Sequence, residues 1–236
     1  MAWAATARKN ENSAGGVASL NVTLNSTVAG NHIFVATSYW KSGGNTSNAV
    51  SDGTNGAYSE AFHITNGDPS CSLHYFENGA GGNLTITANP SPDNSDVWVA
   101  CHEFSGGATS SSLDGTPTTN SGTSATASTG NLVPANNDVL CLGVMDLDNS
   151  GNITENAGGE GFTLSNENQL FADIGQPGSF VYKIFSGAPG TVVETWTVPA
   201  SSPWVAGIAA FKIPSVGGVT YPELERNIRG LNRGLA

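Results

Sequence analysis

The sequence is poor in charged residues, and in basic ones above all. Charged side chains make up 11% of its 236 residues, against about 25% in an ordinary soluble domain. Lys and Arg total 8 against 19 Asp and Glu, which gives a net charge of −11. Because phosphate neutralisation needs clustered basic side chains, we expect no nucleic-acid partner. No apolar run is long enough to cross a bilayer, so we expect no membrane partner either.

Cysteine is equally scarce. The three cysteines Cys71, Cys101 and Cys141 cannot all pair within one chain, and their spacing matches no zinc or redox motif. Cys101 and Cys141 lie inside apolar stretches, so we predict that they are buried in strands as small hydrophobic residues.

The N-terminus has no apolar segment behind a basic start, so we expect no secretory signal. Five Asn-x-Ser/Thr sequences are then interpreted as accidents of an Asn- and Thr-rich chain; they begin at Asn21, Asn25, Asn45, Asn83 and Asn152. A surface-type composition without a signal is typical of virion proteins, which assemble in the host cytoplasm and leave it by lysis.

Catalytic motifs are missing as well. The nucleophile elbow, the dinucleotide-binding glycine pattern and the P-loop do not occur. All four histidines fall in predicted strands, where a core or sheet-face role is the usual one. Glu60 and Glu103 are one carboxylate pair that folding could bring together for glycoside hydrolysis, but nothing in the sequence selects that pair. We therefore expect no enzyme.

What the sequence does contain is short β-branched and aromatic segments bounded by Gly, Asn, Asp or Pro. These segments predict an all-β fold, a two-sheet β-sandwich of the jelly-roll type, as one domain over residues 17–214. Three segments are apolar on both faces and are predicted as central strands, at residues 97–104, 139–145 and 204–213. The other predicted strands span residues 17–24, 32–40, 57–64, 72–76, 84–88, 124–129, 169–174, 179–185 and 191–198.

The two ends differ from this acidic body because they are slightly basic. Residues 1–16 are predicted as an N-terminal arm that carries Arg8 and Lys9, and residues 215–236 as a linker followed by an amphipathic helical tail. Thr220 and Glu223 form a capping box at the start of that helix. We predict that both ends bind neighbouring subunits, the tail through an apolar stripe and a basic face made of Tyr221, Leu224, Arg226, Ile228, Arg229, Leu231, Arg233 and Leu235. The alternatives for the tail are packing on its own sandwich and a loose end.

One segment has the spacing of a calcium loop. Asp146, Asp148, Ser150 and Asn152 occupy positions 1, 3, 5 and 7 of an EF-hand-type loop. Position 12, where a bidentate Glu belongs, is Ala157. Calcium is thus one interpretation, and a polar hairpin loop without an ion is the other. No other cofactor is expected.

Several turns and strand ends resemble a β-sandwich family of phage structural proteins and phage-like bacterial proteins. The residues concerned are Ser51-Asp52-Gly53-Thr54-Asn55-Gly56-Ala57-Tyr58, Leu73-His74-Tyr75-Phe76, Leu84-Thr85-Ile86-Thr87, Cys101-His102-Glu103-Phe104-Ser105-Gly106, Leu113-Asp114-Gly115-Thr116-Pro117 and Trp204-Val205-Ala206-Gly207-Ile208-Ala209-Ala210-Phe211.

This resemblance implies a non-enzymatic module of the virion surface. The expected role is that of a capsid decoration or accessory protein, oligomeric, held by its terminal arms on the major capsid or a tail protein. The alternative is a glycan- or receptor-binding module of a tail fibre or adhesin, in which Trp40, Tyr58 or Trp98 stack on sugars. The resemblance supplies no catalytic residue.

Overall fold

The structure of the chain is a computed structural model, which describes residues 2–40, 47–91, 95–148, 153–155, 161–168, 177–199 and 202–214. The predicted all-β class is confirmed: the described residues form antiparallel sheets and contain no helix. It follows that no described helix is available to cross a membrane. The helix predicted within residues 215–236 lies outside the described residues.

The first nine strands form two sheets. Sheet A has the order β1-β9-β3-β7-β6, and sheet B the order β2-β8-β4-β5. We call this set the first repeat; its strands are β1 (Ala4–Val17), β2 (Leu20–Thr27), β3 (His32–Trp40), β4 (Ser47–Asp52), β5 (Gly56–Ala57), β6 (Ser59–Thr65), β7 (Pro69–Phe76), β8 (Gly82–Ser91) and β9 (Ser95–Ser105).

The remaining eight strands form two further sheets. Sheet C has the order β10-β17-β12-β15-β14, and sheet D the order β11-β16-β13. We call this set the second repeat; its strands are β10 (Thr118–Gly122), β11 (Thr126–Ser128), β12 (Leu140–Leu147), β13 (Thr154–Glu155), β14 (Thr163–Asn168), β15 (Gly178–Ile184), β16 (Thr195–Thr197) and β17 (Trp204–Phe211).

The two repeats have the same nested strand pairing. If β5 and β6 are taken as one strand that passes from sheet B to sheet A, each repeat has eight strands. The first strand then pairs with the eighth, the second with the seventh and the third with the sixth. These pairs are β1·β9, β2·β8 and β3·β7 in the first repeat, and β10·β17, β11·β16 and β12·β15 in the second. A hairpin folded over on itself gives this nesting.

Three apolar cores join the four sheets in the order B, A, C, D. Val35, Ile86 and Val99 belong to the core between sheets A and B. Phe34, Trp98, Phe104, Leu142, Phe180 and Phe211 belong to the core between sheets A and C. Met145, Val181, Trp196, Trp204 and Ile208 belong to the core between sheets C and D. Sheets A and C therefore have apolar side chains on both faces.

The three strands predicted as central are confirmed, because β9, β12 and β17 each have a hydrogen-bonded neighbour on both sides. The expected number of sheets was wrong: the described strands form four sheets instead of two. Strand β9 belongs to sheet A, and strands β12 and β17 belong to sheet C. Because these strands are apolar on both faces, each of the two sheets needs a covering layer on both sides, which two sheets alone cannot provide.

The segment predicted as an N-terminal arm is largely strand β1, paired with β9 from Ala4↔Ser105 to Val17↔Ser95. Its polar side chains also reach the edge of sheet B. Asn10 Nδ2 donates to the carbonyl of Thr23 at 2.7 Å, and Asn12 Nδ2 to that of Asn21 at 2.8 Å. Strand β1 thus covers carbonyl groups on the outer edge of β2, which would otherwise be free to pair with another chain.

Candidate functional site

The basic side chains of β1 are engaged within the chain. Arg8 Nη1 lies 3.0 Å from Glu103 Oε2, and Lys9 Nζ donates to the carbonyl of Ser165 on strand β14. The Glu103 side chain is fully buried and also accepts from the backbone N–H of Val28 at 2.6 Å and from Asn31 Nδ2 at 3.0 Å. These contacts fasten β1 to its own fold. Binding of a neighbouring subunit by Arg8 and Lys9 stays a prediction.

The other predicted partner-binding residues lie outside the described residues. They are Tyr221, Leu224, Arg226, Ile228, Arg229, Leu231, Arg233 and Leu235.

Of the predicted calcium ligands, the structure describes two. Asp146 is fully buried between sheets A and C, where it accepts from Ser38 Oγ at 2.5 Å and from the Ser70 backbone N–H at 3.0 Å. Burial raises the pKa of this carboxyl to about 7. Asp148 accepts from Trp40 Nε1 at 3.0 Å.

Both oxygens of Asp146 are therefore already used inside the fold, and Ser150 and Asn152 lie outside the described residues. Among the described residues, no three His, Cys, Asp or Glu side chains form a group that could hold a metal ion. Calcium binding by this segment stays a prediction.

The core between sheets A and B contains a buried polar network. Thr37 and Ser72 are joined by a 2.6 Å hydrogen bond, and the Tyr39 hydroxyl contacts both. The amide nitrogen of Asn48 lies 3.2–3.3 Å from Thr37 Oγ1, Ser72 Oγ and His74 Nε2. Burial lowers the pKa of His74 to about 4, so this ring is neutral at pH 7.

Ser72, His74 and Glu60 have the residue types of a catalytic triad but not its geometry. Ser72 Oγ at 2.9 Å and Glu60 Oε2 at 3.9 Å both face the same ring nitrogen, Nε2 of His74. In a triad the nucleophile and the carboxylate face opposite nitrogens of the ring. Ser72 is also completely buried. The contacts of these three residues are those of a structural network.

The four histidines, Cys101 and Cys141 lie in strands, as the sequence predicted, and Cys71 lies in strand β7. His32, His74 and His102 are buried, and His63 is half-buried. All three cysteines are buried and unpaired. Burial raises the pKa of the Cys101 and Cys141 thiols to about 12 and that of Cys71 well above its usual value, so all three stay protonated.

The turn that carries part of the family resemblance is held by one carboxylate. Asp52 accepts from the backbone N–H groups of Thr54 and Asn55 at 2.7 Å, from Asn55 Nδ2 at 2.8 Å and from the Tyr58 hydroxyl at 2.7 Å. These hydrogen bonds outweigh burial and hold the pKa of Asp52 below its usual value. The motif therefore builds a turn, and its residue types follow from that role.

Two of the three aromatic residues proposed for sugar stacking are core residues. Trp98 is completely buried and Tyr58 is 7% exposed, so neither ring offers a face to a ligand. Trp40 is half-buried and holds Asp148 through its indole N–H.

A groove of about 330 Å³ lies at the corner formed by the start of β6, the end of β7 and the segment that follows β9. We call it the first groove; it is lined by Ala57, Ser59, Tyr75, Phe76, Glu77, Asn78 and Thr109. Sequence reasoning did not find these residues as a site. The sequence signal that could have indicated this groove is the run Tyr75-Phe76-Glu77-Asn78 at a strand end, where two aromatic residues are followed by a carboxylate and an amide.

A second groove of about 220 Å³ lies at the same corner of the second repeat, next to the start of β14 and the end of β15. Its lining residues are Phe162, Lys183, Phe185, Pro189, Thr191, Val192 and Val193. Lys183 Nζ lies 4.7 Å from the ring centre of Phe185 and 5.9 Å from that of Phe162. The two grooves thus share their position and aromatic walls but differ in the sign of their charged residue.

The chain matches no known protein-family model and no curated protein.

Proposed function

We propose that the chain is a structural protein of a virion surface, a capsid decoration or accessory protein built from two jelly-roll β-sandwiches. The nested pairing of eight strands in each repeat is the observation that carries this proposal, because viral capsid domains are among the common uses of a jelly roll, beside lectin domains and cupins. The family resemblance of the Asp52 turn and of the closing Trp204–Phe211 strand points the same way.

The buried polar groups support a structural role. The carboxylates of Asp52, Glu103 and Asp146 hold turns, edges and sheet contacts, and the only candidate triad fails on its geometry within the described residues. We therefore propose a non-enzymatic protein, assembled in the host cytoplasm as an oligomer, whose partners are virion subunits. In this proposal residues 215–236 dock on a neighbouring subunit.

Sedimentation velocity on the purified chain, with and without residues 217–236, tests the structural proposal. A discrete oligomer that becomes a folded monomer on truncation is the expected result. A full-length chain that stays monomeric, and that shows no change of state on truncation, would count against self-assembly through the tail.

A second candidate function is glycan or receptor binding, as in a tail fibre or an adhesin. The first groove favours it, because aromatic walls and several hydrogen-bonding side chains meet there at the surface. Screening the full chain against immobilised glycans tests this candidate.

A further inference from the structure

The walls of the first groove are fixed by packing behind them. The ring of Tyr75 lies 5.1 Å from that of Phe211, and the ring of Phe76 lies 5.4 Å from that of Tyr58. Both rings remain half-buried, so part of each still faces the groove. Aromatic surfaces that are already ordered lose little conformational freedom when a ligand binds.

The polar side chains of the groove are also positioned. Glu77 is held by one carboxylate oxygen, which accepts from the Ser112 backbone N–H at 2.5 Å. Asn78 is exposed and has a left-handed backbone with φ of 53°, which turns the chain immediately after the strand. Ser59 and Thr109 are exposed and add two hydroxyl groups.

This set of groups matches the surface of a sugar ring. The C–H face of a sugar packs on an aromatic ring, and the hydroxyl groups of the sugar both donate and accept hydrogen bonds. Glu77 accepts, Asn78 does both, and so do the hydroxyl groups of Ser59 and Thr109. A volume of about 330 Å³ suits a mono- or disaccharide, since ligand pockets start at about 300 Å³.

Charge restricts the ligand further. Among the described residues that line the first groove, Glu77 is the only charged one, and the chain as a whole has a net charge of −11. Sialic acids, uronic acids and sulfated sugars would meet repulsion there. The charged residue in the described lining of the second groove is Lys183, so the two grooves differ in the sign of their charge.

We propose that the first groove binds an uncharged mono- or disaccharide, with Tyr75 and Phe76 as the packing surface and Glu77 and Asn78 as the hydrogen-bonding groups. This inference rests on the second candidate function, glycan binding.

The test is titration calorimetry of the full chain with galactose, glucose, mannose, N-acetylglucosamine and their disaccharides. Two variants change the groove with little effect on its backbone. Glu77→Gln keeps an oxygen for the Ser112 N–H, and Asn78→Gly keeps the left-handed backbone that alanine would strain. Lys183→Ala in the second groove is the matched control, and circular dichroism checks that each variant is folded.

We expect at least one uncharged saccharide to bind, Glu77→Gln and Asn78→Gly to weaken its binding tenfold or more, and Lys183→Ala to leave it unchanged. A saccharide that binds Glu77→Gln and Asn78→Gly as well as it binds the unchanged chain would show that the assignment to the first groove is wrong, while glycan binding itself stands. The same conclusion would follow if Lys183→Ala abolished binding. If no saccharide in the panel binds the folded chain, both the assignment and the glycan-binding candidate are wrong.

Discussion

The two repeats share one strand pairing but have different interiors. Between sheets A and B, the first repeat buries a network of hydroxyl, amide and imidazole groups centred on Ser72. Between sheets C and D, the second repeat packs apolar side chains around Trp196, whose indole N–H donates to Ser179 Oγ at 3.0 Å. The nested pairing needs inward-facing side chains of suitable size, and it tolerates polar side chains where most of their polar atoms form hydrogen bonds.

The largest effect is expected from truncating the apolar interior of the second repeat. Trp196 is completely buried, so Trp196→Ala should lower the free energy of unfolding by about 3–5 kcal/mol. Urea denaturation followed by tryptophan fluorescence measures this change. In the first repeat, Tyr39→Phe serves as the comparison and should cost only about 1 kcal/mol, because it removes one hydroxyl and no apolar volume. Equal losses for the two variants would contradict the contrast between the interiors.

Acid should change the stability of the two repeats differently, because all four histidines lie in the first repeat. Burial lowers the pKa of His74 and of His102 to about 4, so the unfolded chain binds more protons between pH 6.5 and 4. The stability that these neutral rings contribute is present above pH 6.5 and is lost as the pH falls toward 4.

His74→Gln should therefore reduce the loss of stability between pH 7 and pH 4.5 by about 2–3 kcal/mol, as measured by urea denaturation at both values. The contribution of Asp146, in the second repeat, to the pH dependence of stability has the opposite sign. Its carboxyl pKa is raised to about 7, so this group stabilises the fold increasingly as the pH falls from 7 toward 4. Unchanged acid sensitivity in His74→Gln would show that the fold does not lower the pKa of this ring.

A smaller effect is expected from the amide that connects the polar network. Asn48→Ala should cost about 2 kcal/mol, because it leaves buried groups of Thr37, Ser72 and His74 with one partner fewer. Asn89→Ala on the neighbouring strand β8 is the control and should have almost no effect, since Asn89 is exposed. Thermal unfolding compares the two; similar shifts would show that the network contributes nothing specific.

The part of the fold that follows from hydrophobic pattern was predictable, and the part that follows from long-range pairing was not. Strands β3, β9, β12 and β17 are apolar enough to be located from their own residues. Strand β1 is polar, with Arg8, Lys9 and Asn10 in sequence, and becomes a strand because β9 offers it an edge.

The shared strand pairing of the two repeats left little trace in the sequence. Both closing strands contain Trp-Val-Ala, at Trp98-Val99-Ala100 and Trp204-Val205-Ala206, but the two tryptophans face different cores. Trp98 packs between the repeats, whereas Trp204 packs inside the second one. The run Tyr75-Phe76-Glu77-Asn78 marks part of the first groove in the sequence, but the whole groove was not predictable because Ser59, Tyr75 and Thr109 meet only once the strands have paired.

The smallest effect is expected at the ion pair of β1. Arg8 is partly exposed, and Glu103 keeps Thr6, Val28 and Asn31 as partners when Arg8 is removed. Arg8→Met should therefore cost no more than about 1 kcal/mol, and less in high salt. Urea denaturation at low and high salt measures it, with Lys212→Met in the second repeat as the control. A loss of several kcal/mol would mean that the Glu103 contact is the main fastening of β1.

The nested pairing also determines when each strand can form during synthesis. Strand β1 begins at Ala4, and its partner for that residue is Ser105, so about a hundred residues must be made before the first strand finds its place. Until then the innermost contact, β4 with β5, is the local one from which the first repeat can grow outward. A nascent chain stopped before β9 would therefore leave β1 unpaired and open to proteases, and one extended past Ser105 would close it.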